Sequence, residues 1–183
     1  MSTNELESAI VSAQEGREEG YRQLFAEFSG MVFGLVSRML ADEAEAEELT
    51  QDVFMQAFAA LAGFRSQGSG FSAWIRRIAY NMAMSKLRQK RPQLISLDEP
   101  EYATYADHAG VADEDGSAEE SIGNLIAAIG HLRQEEQALL QLCYYDGLSM
   151  QDIAYITSLT PQAVAMRLSR IRKKLKNQLS KHS

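Results

Sequence analysis

The chain has one cysteine, Cys143, in 183 residues. No internal disulfide can form, and such sparing use of thiols suits a reducing compartment. The setting of Cys143, "LLQLCYY", is apolar and implies a buried structural thiol. Histidine is also scarce. His108, His131 and His182 are scattered along the chain, so with a lone thiol they form no metal cluster. A glycine-rich phosphate loop of nucleotide-binding pattern is missing too, which leaves little basis for an enzyme, a metal or a cofactor. No apolar run approaches the roughly 20 residues that span a bilayer. The opening "MSTNELESAI" lacks a basic segment followed by an apolar one, so neither membrane insertion nor a signal peptide is expected and the protein reads as cytoplasmic. Strand alternation and repeat periods are likewise absent. At 45% hydrophobic and 23% charged residues, the chain is nonetheless too apolar to be disordered throughout.

What the chain does contain is charge sorted into blocks. The formal net charge of −7 hides them: residues 1–63 carry 3 Lys and Arg against 12 Asp and Glu, and residues 64–93 carry 7 against none. Residues 94–130 carry none against 9, and residues 131–183 carry 8 against 4. Two basic blocks separated by an acidic one suggest two contacts on a polyanion, with the acidic blocks meeting other partners.

Apolar spacing makes the first block helical. Leu24, Phe28, Met31, Leu35 and Met39 recur at three- and four-residue intervals, and Phe25, Val32 and Val36 widen the stripe. In "ADEAEAEELTQDVFMQAFAALAGF" the acidic start suits a helix N-terminus and Gly63 a stop, with Leu49, Val53, Phe54, Ala57, Phe58 and Leu61 facing inward. "RSQGSG" (65–70) reads as a loop, and "GFSAWIRRIAYNMAMSKLRQKRP" as a third long helix ending near Pro92. Residues 93–121 have little periodicity and many Asp, Glu, Gly and Ala residues, the composition of an exposed tether. Beyond it Ile122, Leu125, Ile126, Ile129, Leu132, Leu139, Leu140 and Leu142 restore the helical pattern. The expected fold is all-α: two small helical domains, residues 1–92 and 122–183, joined by a flexible acidic linker, residues 93–121.

The stretch "LSMQDIAYITSLTPQAVAMRLSRIRKKL" (148–175) reads as a helix-turn-helix. Asp146-Gly147 closes the helix before it. Ser149 caps a short helix that turns Ile153, Ala154 and Ile156 inward, and Thr160 caps the next, with Pro161 at its first position. Val164, Leu168, Ile171 and Leu175 then form the buried face, while Gln162, Ala165, Met166, Ser169, Arg170 and Lys173 project elsewhere, flanked by Arg167 and Lys174. In DNA-binding versions of this motif the second helix enters the major groove, and its basic end neutralises phosphates.

In the basic third helix, Phe71, Trp74, Ile75, Ile78, Met82 and Leu87 make the inward stripe, and the opposite face carries Arg77, Asn81, Ser85 and Arg88. Guanidinium and amide groups at that pitch can follow a strand backbone and bond base edges. With a glycine-rich loop before it and aromatic residues at the junction, the helix suits single-stranded DNA or an extruded base. Trp74 fits either the core or a stacking platform.

Together, "EELTQDVF", "FRSQGSGFSAWIRRIAYNMAMSKLRQKR" and the segment 132–175 resemble the bacterial RNA polymerase sigma factors of the extracytoplasmic-function (ECF) group, in order and spacing. The resemblance covers roughly residues 20–92 and 122–178. It implies a protein that binds core RNA polymerase, recognises the −35 and −10 promoter elements and melts the DNA. By position it assigns Glu48, Gln51 and Asp52 to the polymerase clamp, with Met55 on the same face. Loop Arg65–Gly70 and Phe71 would hold a flipped −10 base, and Trp74, Arg77, Asn81, Ser85 and Arg88 would line the path of the strand. The helix 160–174, with Thr160, Gln162, Ala165, Met166, Arg167, Ser169, Arg170, Lys173 and Lys174, would enter the −35 major groove. The acidic linker would run through the polymerase cleft, and an anti-sigma factor would hold the protein inactive. Two departures stand out: Ser158 occupies a turn position where the family commonly has glycine, and Ala165 replaces an early basic residue of the recognition helix. A competing reading is an autonomous helix-turn-helix regulator whose first lobe dimerises or senses a ligand. It would bind an operator tightly without polymerase.

Overall fold

The computed structural model of the chain describes residues 1–40, 42–65, 70–90 and 118–180. Among these, every regular element is helical. The first helix, α1 (Thr3–Gln14), precedes the periodic stretch from which the sequence reading began. Its signal was a capping box, in which Ser2 N–H donates to Glu5 Oε2 (2.7 Å) and Glu5 N–H to Ser2 Oγ (3.3 Å). Helices α2 (Glu18–Met39), α3 (Glu43–Ala60) and α4 (Gly70–Lys90) follow, with a 3₁₀ turn, Leu61–Gly63, closing α3.

Helix α1 crosses α2 at Gly20, where a Cβ atom would lie 2.7 Å from the Ala9 carbonyl oxygen and against the Ala13 backbone. Backbone cannot yield as a side-chain tip can. Gly20→Ala is therefore expected to lower stability by about 2 kcal/mol through overpacking. Urea unfolding would measure the loss, and hydrogen exchange should show it concentrated in α1.

Leu24, Val32, Leu35, Val36 and Met39 of α2, Leu49, Val53, Phe54 and Ala57 of α3, and Phe71, Ile75, Ala79 and Ala83 of α4 form the core of the first lobe. Phe25 departs from expectation. It is 43% exposed, because the rest of the stripe fills the space between α2 and its neighbours, and its ring lies on Phe54 with centroids 4.7 Å apart.

The second lobe contains α5 (Ala118–Gly130), α6 (Gln134–Leu140), a π turn (Gln141–Tyr145), α7 (Met150–Thr157) and α8 (Pro161–Leu179). Helix α5 starts three residues before Ser121, inside the expected tether, since "AEES" is composed of good helix formers and a cap-prone serine. Its apolar residues Ile122, Leu125 and Ile126, expected inside, are 57%, 40% and 66% exposed, because Ala128 and Leu132 make the buried contacts of this segment. Cys143 is half-buried in the π turn rather than fully buried.

The helix-turn-helix follows the caps read from the sequence. Gly147 turns the chain at φ +61°, Ser149 Oγ accepts the Asp152 N–H (3.1 Å), and Thr160 Oγ1 accepts the Ala163 N–H (3.1 Å) ahead of Pro161. Ile153, Ala154, Ile156, Val164, Leu168 and Ile171 are buried between the two helices and their neighbours. Ser158 ends α7 in the left-handed region, at φ 56° and ψ 34°. A Cβ there costs roughly 1 kcal/mol or slightly more, so Ser158→Gly is expected to raise the melting temperature by a few degrees.

The two lobes touch. Helix α4 packs along α7 and α2 along α6, and the buried side chains of both lobes form one continuous cluster. Between them Arg76 Nε lies 3.3 Å from Asp146 Oδ2, with both side chains about nine-tenths buried. The pair is close but poorly aligned for a hydrogen bond; a second Arg76 nitrogen bonds Ser72 Oγ. Burial pulls the Arg76 pKa below its usual value, and the nearby Asp146 and Asp152 charges push it back.

Candidate polymerase and nucleic-acid interfaces

Helix α3 presents the first candidate surface. Asp42 Oδ1 accepts the Glu45 N–H (2.9 Å) and fixes the helix start. From there the 3.6-residue pitch puts Glu48, Gln51, Asp52 and Met55 on solvent while Leu49, Val53, Phe54 and Ala57 go inward. Met55 is 70% exposed, an apolar patch in an acidic surround. Glu48 also pairs with Lys86 of α4 at 3.3 Å, and Glu45 with Lys90.

Those pairs bear on the all-basic run that the sequence displays. Helix α4 contains no acids of its own because its partners come from elsewhere: α3 supplies two and the π turn a third, Asp146 at Arg76. What stays on the outer face is Arg77, Asn81, Ser85 and Arg88, with Asn81 and Arg88 exposed and Arg77 and Ser85 half-buried. With Trp74 and Met82 these residues line a shallow groove. Its far wall is Tyr155 of α7, whose ring lies 4.7 Å from the Arg77 guanidinium carbon.

The aromatic residues at the start of α4 divide. Phe71, expected at the DNA surface, is 2% exposed. Its ring packs against Phe28, Phe64 and Trp74, with centroids 5.1–5.4 Å apart, because the first turn of α4 faces α2. Trp74 is half-buried, resting on Phe64 at 4.9 Å and reaching the groove. It is thus both core and lining. Arg65 is exposed and donates to the carbonyl oxygens of Ala62 (3.0 Å) and Phe64 (2.9 Å). Residues 66–69 of the expected base-holding loop lie outside the described residues, as does the tether over 93–117.

Helix α8 carries the third surface. Thr160, Gln162, Ala165, Met166, Arg167, Ser169, Arg170, Lys173 and Lys174 are all exposed, on the side away from Val164, Leu168 and Ile171. Lys174 meets Glu136 of α6. Burial raises the Glu136 pKa, but bonds from Lys174 and the Arg133 N–H outweigh it and hold the carboxyl below its usual value.

Two comparisons with known proteins bear on these three surfaces. Residues 24–93 match sigma-70 region 2, and residues 122–175 match sigma-70 region 4. The ECF RNA polymerase sigma factor SigW of Bacillus subtilis is 27% identical, over 95% of this chain and 96% of its own. The chain belongs to the ECF group of sigma factors. RNA polymerase sigma-H factor of Pseudomonas aeruginosa is 29% identical, over 94% of this sigma factor and 93% of its own length. Among solved structures, the sigma factor RpoE in complex with the anti-sigma factor NepR, from Bartonella quintana, has the same fold; the TM-score is 0.61 at 19% identity, over 87% of this chain and 96% of that one.

As a sigma factor, the protein binds core RNA polymerase and directs promoter recognition. The region 2 match contains α3 and α4, and the region 4 match contains most of α8, so all three surfaces fall within the matched segments. The sequence reading missed the contacts that join the two regions: Arg76 with Asp146, Arg77 with Tyr155, and Arg38 over the Tyr145 ring at 4.8 Å. Each joins side chains far apart in the chain across two lobes. The one available signal was Arg76 itself, an arginine on the apolar side of an amphipathic helix.

Proposed function

We propose that the three surfaces divide the work of initiation. The exposed acidic face of α3, with Met55 at its centre, docks the protein on core polymerase. The groove face of α4, with Arg77, Asn81, Ser85 and Arg88, takes the unpaired −10 strand once the duplex opens. The exposed face of α8 enters the −35 major groove, with Gln162, Ala165 and Met166 near the bases and Arg167, Arg170, Lys173 and Lys174 at phosphates. This division is carried by one observation: a single region 2 lobe turns acids outward on α3 and arginines outward on the adjacent α4. One protein partner and one nucleic-acid strand can then be held side by side. A sensing or dimerising lobe of an autonomous regulator needs no such face.

Domain limits of 1–92 and 122–183 fit this reading, with the second unit extended back to Ala118 where α5 begins. Sigma factors are not enzymes, and the bond-making chemistry belongs to the polymerase. Among the described residues no helix is long and apolar enough to cross a membrane, which accords with a cytoplasmic site of action. A relative of the same fold is held by an anti-sigma factor, and a partner of that kind is expected here.

Transcription in vitro with core polymerase over a library of promoters tests the reading. The expected result is core-dependent, promoter-selective transcript, with weak duplex binding by the free protein in a gel shift. Tight operator binding without polymerase, and no transcript with it, would return the protein to the autonomous-regulator class.

A further inference from the structure

In the closed arrangement, the face of α4 that the proposed function assigns to the −10 strand is already occupied. Helix α7 lies along it, and the Tyr155 ring sits 4.7 Å from the Arg77 guanidinium carbon, inside the groove formed with Trp74, Asn81 and Ser85. A flat aromatic ring stacked on a guanidinium beside an amide and a hydroxyl is the contact set that an unpaired nucleobase would make there. Contacts from the turn between α6 and α7 hold α7 in place. The π turn inserts an extra residue, and Asp146 N–H bonds the Gln141 carbonyl oxygen at 2.9 Å. That offset carries Tyr145 under Arg38 and Asp146 to the buried Arg76.

Closure is also incompatible with use of both DNA surfaces. A compact chain of this length has a radius of gyration of about 16 Å and hence a diameter of about 40 Å. The promoter elements, by their own designations, lie about 25 base pairs apart, or about 85 Å along a duplex at about 3.4 Å per pair. The lobes must part before both elements are held. The chain between Lys90 and Ala118 is long enough to allow it, at about 3.3 Å per residue.

We infer that the protein is autoinhibited by its own C-terminal lobe, with Tyr155 occupying the place of a −10 nucleobase on Arg77 and the Arg76–Asp146 pair serving as the latch. The inference rests on the assignment of α4 to the unpaired strand. Asp146→Asn leaves a buried guanidinium without its counter-charge, which can be relieved by exposing it to water, and so favours the open form. Tyr155→Ala vacates the groove without touching the latch.

The test uses the full chain and a fluorescein-labelled, random-sequence single-stranded 12-mer. Fluorescence anisotropy gives affinity, and small-angle X-ray scattering on the same samples gives size. Both variants are expected to bind the oligonucleotide at least about tenfold more tightly than the parent, and Asp146→Asn to expand the scattering envelope. Both should retain core-dependent transcription. If Tyr155→Ala binds no more tightly, or Asp146→Asn stays as compact as the parent, the autoinhibition is wrong. Arg77→Ala in the transcription assay separates the two levels. If it lowers promoter-dependent transcript while the latch variants leave oligonucleotide binding unchanged, only the autoinhibition fails. If it has no effect on transcript, the assignment of α4 fails with it.

Discussion

Replacing Glu48 and Asp52 by lysine together is expected to weaken association with core RNA polymerase about 100-fold, close to 2.7 kcal/mol, while the protein stays folded. Both side chains are exposed on α3, one turn apart and on either side of Gln51. Reversal at both positions changes the local charge by four and puts lysines against whatever cationic surface the acidic face meets, a like-charge juxtaposition that costs several kcal/mol at a desolvated contact. The intramolecular cost is small. Only the Glu48–Lys86 contact is lost; it spans 3.3 Å with Glu48 70% exposed, and such pairs contribute at most about 1 kcal/mol. A competition assay against a labelled reference sigma factor gives the affinity, and a thermal melt confirms the fold. Unchanged affinity in a normally folded variant would remove α3 as the docking surface. Because salt screens exposed charges over about 10 Å at 0.1 M, the parent's affinity should fall with ionic strength more steeply than that of the double variant.

Local chemistry made most of this molecule legible in its sequence. The caps at Ser149 and Thr160, the Asp146-Gly147 stop and the inward sets of α3 and α8 are set by near neighbours in the chain, and the structure follows them. The outward face of α8 came with them, since fixing the buried side of a helix fixes its opposite. Difficulty arose wherever a third element decided burial. Phe71 and Arg77 both belong to α4, and periodicity put the first inward and the second outward. Only the position of α2 shows that Phe71 is sealed at 2% exposure while Trp74, three residues on, still reaches the groove. Ile122, Leu125 and Ile126 repeat at core spacing, yet the lobe meets α5 through its C-terminal end and leaves them on the surface. The run of cations over α4 shows the same limit from the electrostatic side. Lys86 and Lys90 find their acids on α3, about 40 residues away in sequence, and Arg76 finds Asp146 in the other lobe. A charge map of the chain counts these groups as surface available to a polyanion, although folding has already engaged them.

What remains on α4 after that internal pairing concentrates the expected DNA function on few side chains, and Arg77→Ala with Arg88→Ala should therefore have a large and diagnostic effect. Transcription from a duplex promoter is expected to fall about 100-fold, since each arginine lost from a nucleic-acid contact costs about 1–3 kcal/mol. On a template whose −10 region is mismatched and already open, most of that loss should vanish. The physical reason is that strand opening must offset base-pair stacking of about 1.4 kcal/mol per step, and the groove face of α4 can contribute only by holding the separated strand. A pre-opened template removes the stacking cost and leaves just a weakened contact. Arg77 also bears on Tyr155, so its removal loosens the closed form; on its own that would raise the fraction of protein able to reach DNA. A fall in transcript from the duplex template therefore cannot be a side effect of disturbed packing between lobes. Equal losses on duplex and pre-opened templates would instead mean that these arginines serve general affinity for DNA. Strand capture would then have to lie with Trp74 and the segment before α4.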